Sequence, residues 1–254
     1  MALLTCDLFS EALERATSVT VVLPQPTEEQ IGVAEVAVDG PPPVLYLLHG
    51  LSDDHTAWLR FTSIERYAAA AGLAVVMPAV DRSFYANEAH GHRYWDYVSE
   101  ELPALVRRFL NVSQDPTETY VAGLSMGGYG ALKHAFTHPD RYAAVASLSG
   151  VADIRQLAER LERSEIVQRV FNGAFGPDDD IYDLLGRVDP VTAPRLYVGC
   201  GTDEDRLMPP NERLVEVARA HGLDVTADFR PGEHEWGLWD AQIQDVIAWL
   251  GSAP

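Results

Sequence analysis

The sequence predicts an α/β fold, a mostly parallel sheet covered by helices on both faces, and three observations predict it. Short continuous apolar runs at 44–48 (VLYLL), 73–77 (LAVVM) and 143–148 (AAVASL) have the character of strands buried on both faces. Stretches of helical spacing separate them, and strands alternating with helices imply parallel crossovers. The chain has 254 residues, 47% of them apolar, which is enough for one sizeable core.

The elements follow in order. Residues 18–23 (SVTVVL) and 31–38 (IGVAEVAV) alternate like strands. With PTEEQ between them, they are expected to open the fold as an antiparallel pair. Pro41–Pro43 then redirects the chain into strand 44–48. A helix is expected at 62–71, a strand at 73–77, and a helix around Leu102, Leu105, Val106, Phe109 and Leu110. Residues 119–123 read as a strand, 126–137 as a helix and 143–148 as a strand. Residues 151–189 break the alternation, being rich in charge and punctuated by Gly173, Gly176 and Pro177. They are too few to hold a core alone, so the expectation is one domain spanning 1–254 with 151–189 as an insertion over the sheet. Alternation resumes with strand 195–199, helix 211–221, strand 225–229 and a closing helix at 243–250.

Charge narrows the function classes. Nineteen basic against 38 acidic residues give a formal charge of −19, which repels phosphate backbones and anionic membranes. Neither nucleic acid nor a membrane is therefore expected as a partner. Two cysteines, Cys6 and Cys200, do not make a disulfide framework. The opening MALLTCDLFSEALERA lacks a basic segment followed by a long apolar stretch, so a cytoplasmic protein is expected.

Chemistry concentrates at Gly123-Leu124-Ser125-Met126-Gly127. The G-x-S-x-G pattern is short, but here a strand precedes it and a small-residue helix follows. A serine at such a bend is lifted above the carboxyl edge of the sheet, at a helix N-terminus that favours a developing oxyanion. The alternative is a plain helix-capping serine. A serine hydroxyl needs a base within hydrogen-bond reach. His234, in the loop of RPGEHEWGLWD between the last strand and the final helix, is placed to supply it; His221, ahead of Gly222, suits a helix C-terminus. The acid comes from CGTDEDRL, which leaves a strand with three carboxylates, and spacing does not choose between Asp203 and Asp205.

With these residues in hand, the chain resembles the esterase D-like hydrolases, which include the S-formylglutathione hydrolases, and within them the bacterial tributyrin-type carboxylesterases. LLHGLSDDHTAW, YWDYVSEELP, GLSMGGYGAL, CGTDEDRLMPPN and PGEHEWGLWD occur in the family's order over nearly the whole length. The resemblance implies an α/β-hydrolase fold with a helical insertion over the active site, and a cofactor-free acyl-enzyme mechanism acting on short-chain acyl esters. Carbohydrate deacetylation, feruloyl-ester cleavage and thioester cleavage are the alternatives at the same site, and a non-catalytic binding protein is the alternative of another class. Anchored from Leu207, Pro209 or Pro210, and Asn211, the resemblance favours Asp205 as the acid, although one extra residue follows Thr202. It also implies an oxyanion hole made by the backbone amides of Leu51 and Met126, and is compatible with a homo-oligomer. His49 is expected to shape the turn rather than react. Leu124, Tyr129 and a cysteine-free LSDDH depart from the S-formylglutathione hydrolase pattern. Trp95 and Trp236 are the candidates for lining an acyl or alcohol pocket. His90 and His92 have no obvious third ligand, so no metal is expected.

Overall fold

The computed structural model describes residues 1–25, 31, 32, 36, 40–160 and 163–252. Eight strands form one sheet: β1 (Ala2–Ser10), β2 (Arg15–Leu23), β3 (Val44–Leu48), β4 (Ala74–Pro78), β5 (Thr119–Leu124), β6 (Ala144–Leu148), β7 (Arg195–Gly201) and β8 (Val225–Arg230). Their spatial order is β1-β2-β4-β3-β5-β6-β7-β8. The β1–β2 and β2–β4 pairs are antiparallel, and every pairing from β4 to β8 is parallel. This is the α/β-hydrolase architecture.

The first hairpin differs from expectation. β2 pairs with β1, whose residues alternate between half-buried and exposed along ALLTCDLFS. The expected partner at 31–38 and the 26–30 turn lie almost entirely outside the described residues; Ile31 and Gly32 form a turn, and the Val36 N–H donates to the Ala69 carbonyl. Glu101 fastens the β1–β2 turn, its carboxylate accepting from the Ser10 hydroxyl and the Glu11 and Ala12 amides.

The helices are α1 (Ala57–Phe61), α2 (Ile64–Ala71), α3 (Tyr94–Asp96), α4 (Leu102–Phe109), α5 (Met126–Thr137), α6 (Ser164–Phe171), α7 (Ile181–Leu185), α8 (Met208–His221) and α9 (Trp236–Leu250), with a π-helical turn at Tyr97–Glu101 joining α3 to α4. Strand periodicity sorts them into two layers. Val44, Tyr46 and Leu48 of β3 face one core with Val106, Leu132, Val170 and Leu214 of α4, α5, α6 and α8. Leu45 and Leu47 face the other with Trp58, Ile64 and Ile243 of α1, α2 and α9. The α2 helix stops at Gly72, whose positive φ of 62° lets its N–H cap the Ala68 and Ala69 carbonyls. The closing helix starts at Trp236, earlier than the expected 243. Among the described residues, no helix is long and apolar enough to cross a membrane.

The 151–189 segment contributes α6, α7 and a 3₁₀ turn at Ile154–Leu157. It is pinned at several points: Lys133 Nζ bonds Asp179 at 2.9 Å, the Tyr129 hydroxyl donates to the Asp179 carbonyl, and Glu88 pairs with Arg169 of α6.

One packing feature sets an acid-stability prediction. The His134 ring of α5 is fully buried, stacked under Trp95 at 4.4 Å, and neither ring nitrogen has a hydrogen-bond partner. Burial, with Lys133, His138 and Arg141 adding repulsion, pushes its pKa down to about 3. The unfolded chain takes up this proton near the ordinary histidine pKa of about 6.5, whereas the folded chain does not. The stability tied to a neutral His134 is thus fully present above pH 6.5 and falls away between there and pH 3. Its full size is on the order of a few kcal/mol. His134→Leu is expected to flatten the decline in chemical-denaturation free energy over that window. An unchanged slope would refute the assignment.

Candidate active site

Ser125 sits between β5 and α5 with φ 52° and ψ −114°, a backbone conformation that costs a non-glycine residue about 1–3 kcal/mol. The surroundings hold it there. Its N–H donates to the Leu148 carbonyl of β6, and its own carbonyl accepts from the Tyr129 and Val151 amides. The glycines around it permit the bend by close approach rather than by unusual dihedrals. A Cβ on Gly123 would stand 2.4 Å from the Gly127 backbone, and one on Gly127 would stand 2.4 Å from the Leu48 carbonyl oxygen. Any side chain at either position would force the helix away from the sheet.

His234 reaches the same point from the β8–α9 loop. Its Nε2 lies 3.1 Å from Ser125 Oγ, and its Nδ1 lies 2.6 Å from a carboxylate oxygen of Glu204. An ionised carboxylate only accepts, so Nδ1 carries the proton and Nε2 is left free to accept from the serine hydroxyl. Ser125 and His234, both singled out by sequence, are brought together.

The acid is a correction. Neither Asp205 nor Asp203 touches His234; both side chains are exposed, whereas Glu204 between them is buried. After β7 the chain makes a tight turn, the Glu204 N–H bonding to the Gly201 carbonyl, while the Leu207 and Met208 amides bond back to the Glu204 carbonyl as α8 begins. That turn aims residue 204 inward and its neighbours outward, and the longer glutamate side chain spans the remaining gap. Asp203 instead accepts from the Gly232 amide, joining the acid loop to the histidine loop.

Glu204 is well held. Its Oε1 accepts from the Ser149 hydroxyl at 2.5 Å and the Gly201 amide at 2.9 Å, while Oε2 faces His234. Burial alone would raise its pKa, but the hydrogen bonds from His234, Ser149 and Gly201 outweigh burial and keep it below the ordinary carboxylate value. The same burial, with the Glu204 charge beside it, pushes the Cys200 thiol well up, leaving it a proton-bearing neighbour.

The turn after β3 forms the opposite wall. His49 is buried and accepts the Val80 amide at Nε2, so its Nδ1–H donates to the Gly50 carbonyl at 2.7 Å. Burial lowers its pKa, which keeps it neutral in this role. Because the Gly50–Leu51 peptide is planar and trans, fixing that carbonyl turns the Leu51 N–H the opposite way. Met126 opens α5, so its N–H has no acceptor within the helix. Leu51 and Met126 both line the cleft that contains Ser125 and His234.

That cleft has a volume of about 1510 Å³. Trp236 lines it together with Trp239, against which it packs edge-on at 5.3 Å. Trp95 does not line it, a second correction: its ring is spent on His134 and His138, with Lys133 Nζ 5.4 Å from its centroid. The far wall comes from the 151–189 segment through Val151, Asp153, Gln156 and Leu157. Sequence reading missed Glu204, Ser149 and Trp239. CGTDED did carry a signal for the first, since its inserted residue moves the register by one, whereas nothing in SLSG or GLWD marks the other two.

Comparison with known proteins places the chain among esterases. The chain is 27% identical to an acetyl esterase of Caldicellulosiruptor saccharolyticus, over 98% of each. It superposes with a TM-score of 0.88 on the fluorophosphonate-binding serine hydrolase FphF of Staphylococcus aureus, at 31% identity over 99% of each chain. With the S-formylglutathione hydrolase FrmB of the same organism, the TM-score is 0.84 at 31% identity, again over 99% of each. Residues 10–250 match the esterase family model described as "Putative esterase", and the chain belongs to that esterase family.

Proposed function

We propose that the protein is a serine carboxylesterase that hydrolyses short-chain acyl esters through an acyl-enzyme at Ser125. The observation that carries this reading is the unbroken relay from Ser125 Oγ through both nitrogens of His234 to Glu204, opening on one cleft. His234 takes the serine proton as Oγ attacks the ester carbonyl. The Leu51 and Met126 amides donate to the oxyanion that forms. His234 then protonates the departing alcohol, and water, deprotonated by the same imidazole, releases the acid. Glu204 holds the imidazole in the required tautomer and stabilises its charged form.

Trp236 and Trp239 supply an apolar wall for the acyl group or the alcohol, and the 151–189 segment acts as a cap closing the other side. A cytoplasmic location forms part of the proposal, supported by two cysteines that are both unpaired. A series of p-nitrophenyl esters of increasing chain length tests the substrate class. kcat/KM is expected to be highest for the shortest acyl groups and to fall by roughly ten-fold or more once the chain outgrows its subsite. A rise that continues to long chains would contradict the short-chain reading. A parallel panel of sugar acetates, feruloyl esters and thioesters identifies the preferred leaving group.

A further inference from the structure

The Ser149 hydroxyl has a single proton, and the structure fixes where that proton goes. The indole Nε1–H of Trp239 can only donate, and it donates to Ser149 Oγ at 3.0 Å. With that acceptor position filled, the Ser149 O–H points to Glu204 Oε1, 2.5 Å away. Ser149 is completely buried and is held at a positive φ of 46° just past β6, its N–H bonded to the Gly199 carbonyl at 2.7 Å. A strained backbone that over-determines one hydroxyl is difficult to explain as packing. Trp239 also meets the His234 ring edge-on, 4.7 Å between centroids.

We propose that Trp239 and Ser149 form a positioning relay for the triad acid, in which the indole orients the hydroxyl and the hydroxyl locks Glu204 with Oε2 presented to His234. The inference rests on the esterase reading above. Three donors converge on Oε1, the Ser149 hydroxyl, the Gly201 amide and, at 3.6 Å, the weaker Cys200 thiol; they disfavour a proton at that oxygen and remove the carboxylate's freedom to rotate. The other ionisable groups packed around Glu204 are the Cys200 thiol, which stays protonated, and His234 itself. Asp203, Asp205, Arg206, Glu233 and Glu235 stand around the mouth of the same cleft.

The test compares Ser149→Ala, Ser149→Cys and Trp239→Phe with the wild type on one p-nitrophenyl ester. Ser149→Ala is expected to lower kcat by roughly ten-fold, the loss of one hydrogen bond to a charged group, with KM little changed. Without the hydroxyl the carboxylate is more basic, so the His234–Glu204 pair as a unit keeps its proton to higher pH. The acid limb of the kcat/KM profile is therefore expected to move upward. Ser149→Cys, a weak donor of similar size, is expected to fall between the two. Trp239→Phe, which keeps an apolar ring against His234 and the cleft, should lose less in kcat, and adding it to Ser149→Ala should cost less than it does alone, because the indole N–H acts through the hydroxyl. The downfield NMR signal of the His234 Nδ1–H gives a readout independent of turnover, and is expected to shift in both single variants. A folded Ser149→Ala with wild-type kcat, profile and Nδ1–H signal would overturn the relay and leave the esterase reading standing. Absence of any ester turnover by the wild type, with the Nδ1–H signal still responding to Ser149→Ala, would overturn the esterase reading and leave the relay standing.

Discussion

Ser125→Ala is expected to lower ester turnover by about 10⁴- to 10⁶-fold while leaving the fold intact. The size follows from the site having one nucleophile, since no other side chain reaches His234 Nε2 from within the cleft among the described residues. Alanine still fits the bend at φ 52°, because the cost of that conformation is already borne by the bonds to Leu148, Tyr129 and Val151. Steady-state kinetics on a p-nitrophenyl ester, with a thermal melt as the folding control, check the prediction. A folded Ser125→Ala that kept even a tenth of the wild-type kcat would mean that the chemistry lies elsewhere.

Glu204→Gln is expected to cost about 10³- to 10⁴-fold in kcat, and Asp203→Asn and Asp205→Asn no more than a few-fold each. The amide of glutamine can place an N–H₂ against Nδ1, which stabilises the tautomer with the proton on Nε2 and blocks the serine from donating. It also leaves an imidazolium without its counter-charge in a buried setting. The two aspartates are exposed and contact neither His234 nor Ser125, although Asp203→Asn weakens the tie to the Gly232 amide. Measuring all three variants side by side separates the assignment from general loss of charge around the cleft. A large loss in Asp205→Asn with an active Glu204→Gln would restore the reading that the family resemblance favoured.

These two predictions also show what the sequence could and could not disclose. Ser125 and His234 were legible because the physics at each is local. A nucleophile bend needs small residues at positions set by the bend itself, and Gly123 and Gly127 meet backbone that leaves no space for a Cβ. The parallel core strands were legible for a similar reason, since a strand buried on both faces has to be apolar throughout. The acid was legible only in part: the extra residue after Thr202 makes counting from Gly201 and counting from Leu207 disagree, but which of the three consecutive carboxylates points inward depends on how one turn rotates them.

Trp95 and Trp239 illustrate the same limit. Both are tryptophans near expected site elements, yet one stacks on the buried His134 and the other meets the His234 ring. Their sorting depends on tertiary packing that no periodicity reports. Strand β1 is a different case. Leu4-Thr5-Cys6-Asp7-Leu8 alternates with period 2, but Leu3 and Phe9, apolar yet exposed on the strand, blur the pattern at both ends.

The most direct measurement of the central claim is to inactivate the folded protein with a fluorophosphonate and map the adduct by peptide mass spectrometry. A single adduct on the peptide carrying Ser125, abolished in His234→Ala and after unfolding, is the result this account predicts. An esterase-active protein whose adduct maps to another serine, such as Ser52 at the cleft mouth, or which takes no label, would contradict it.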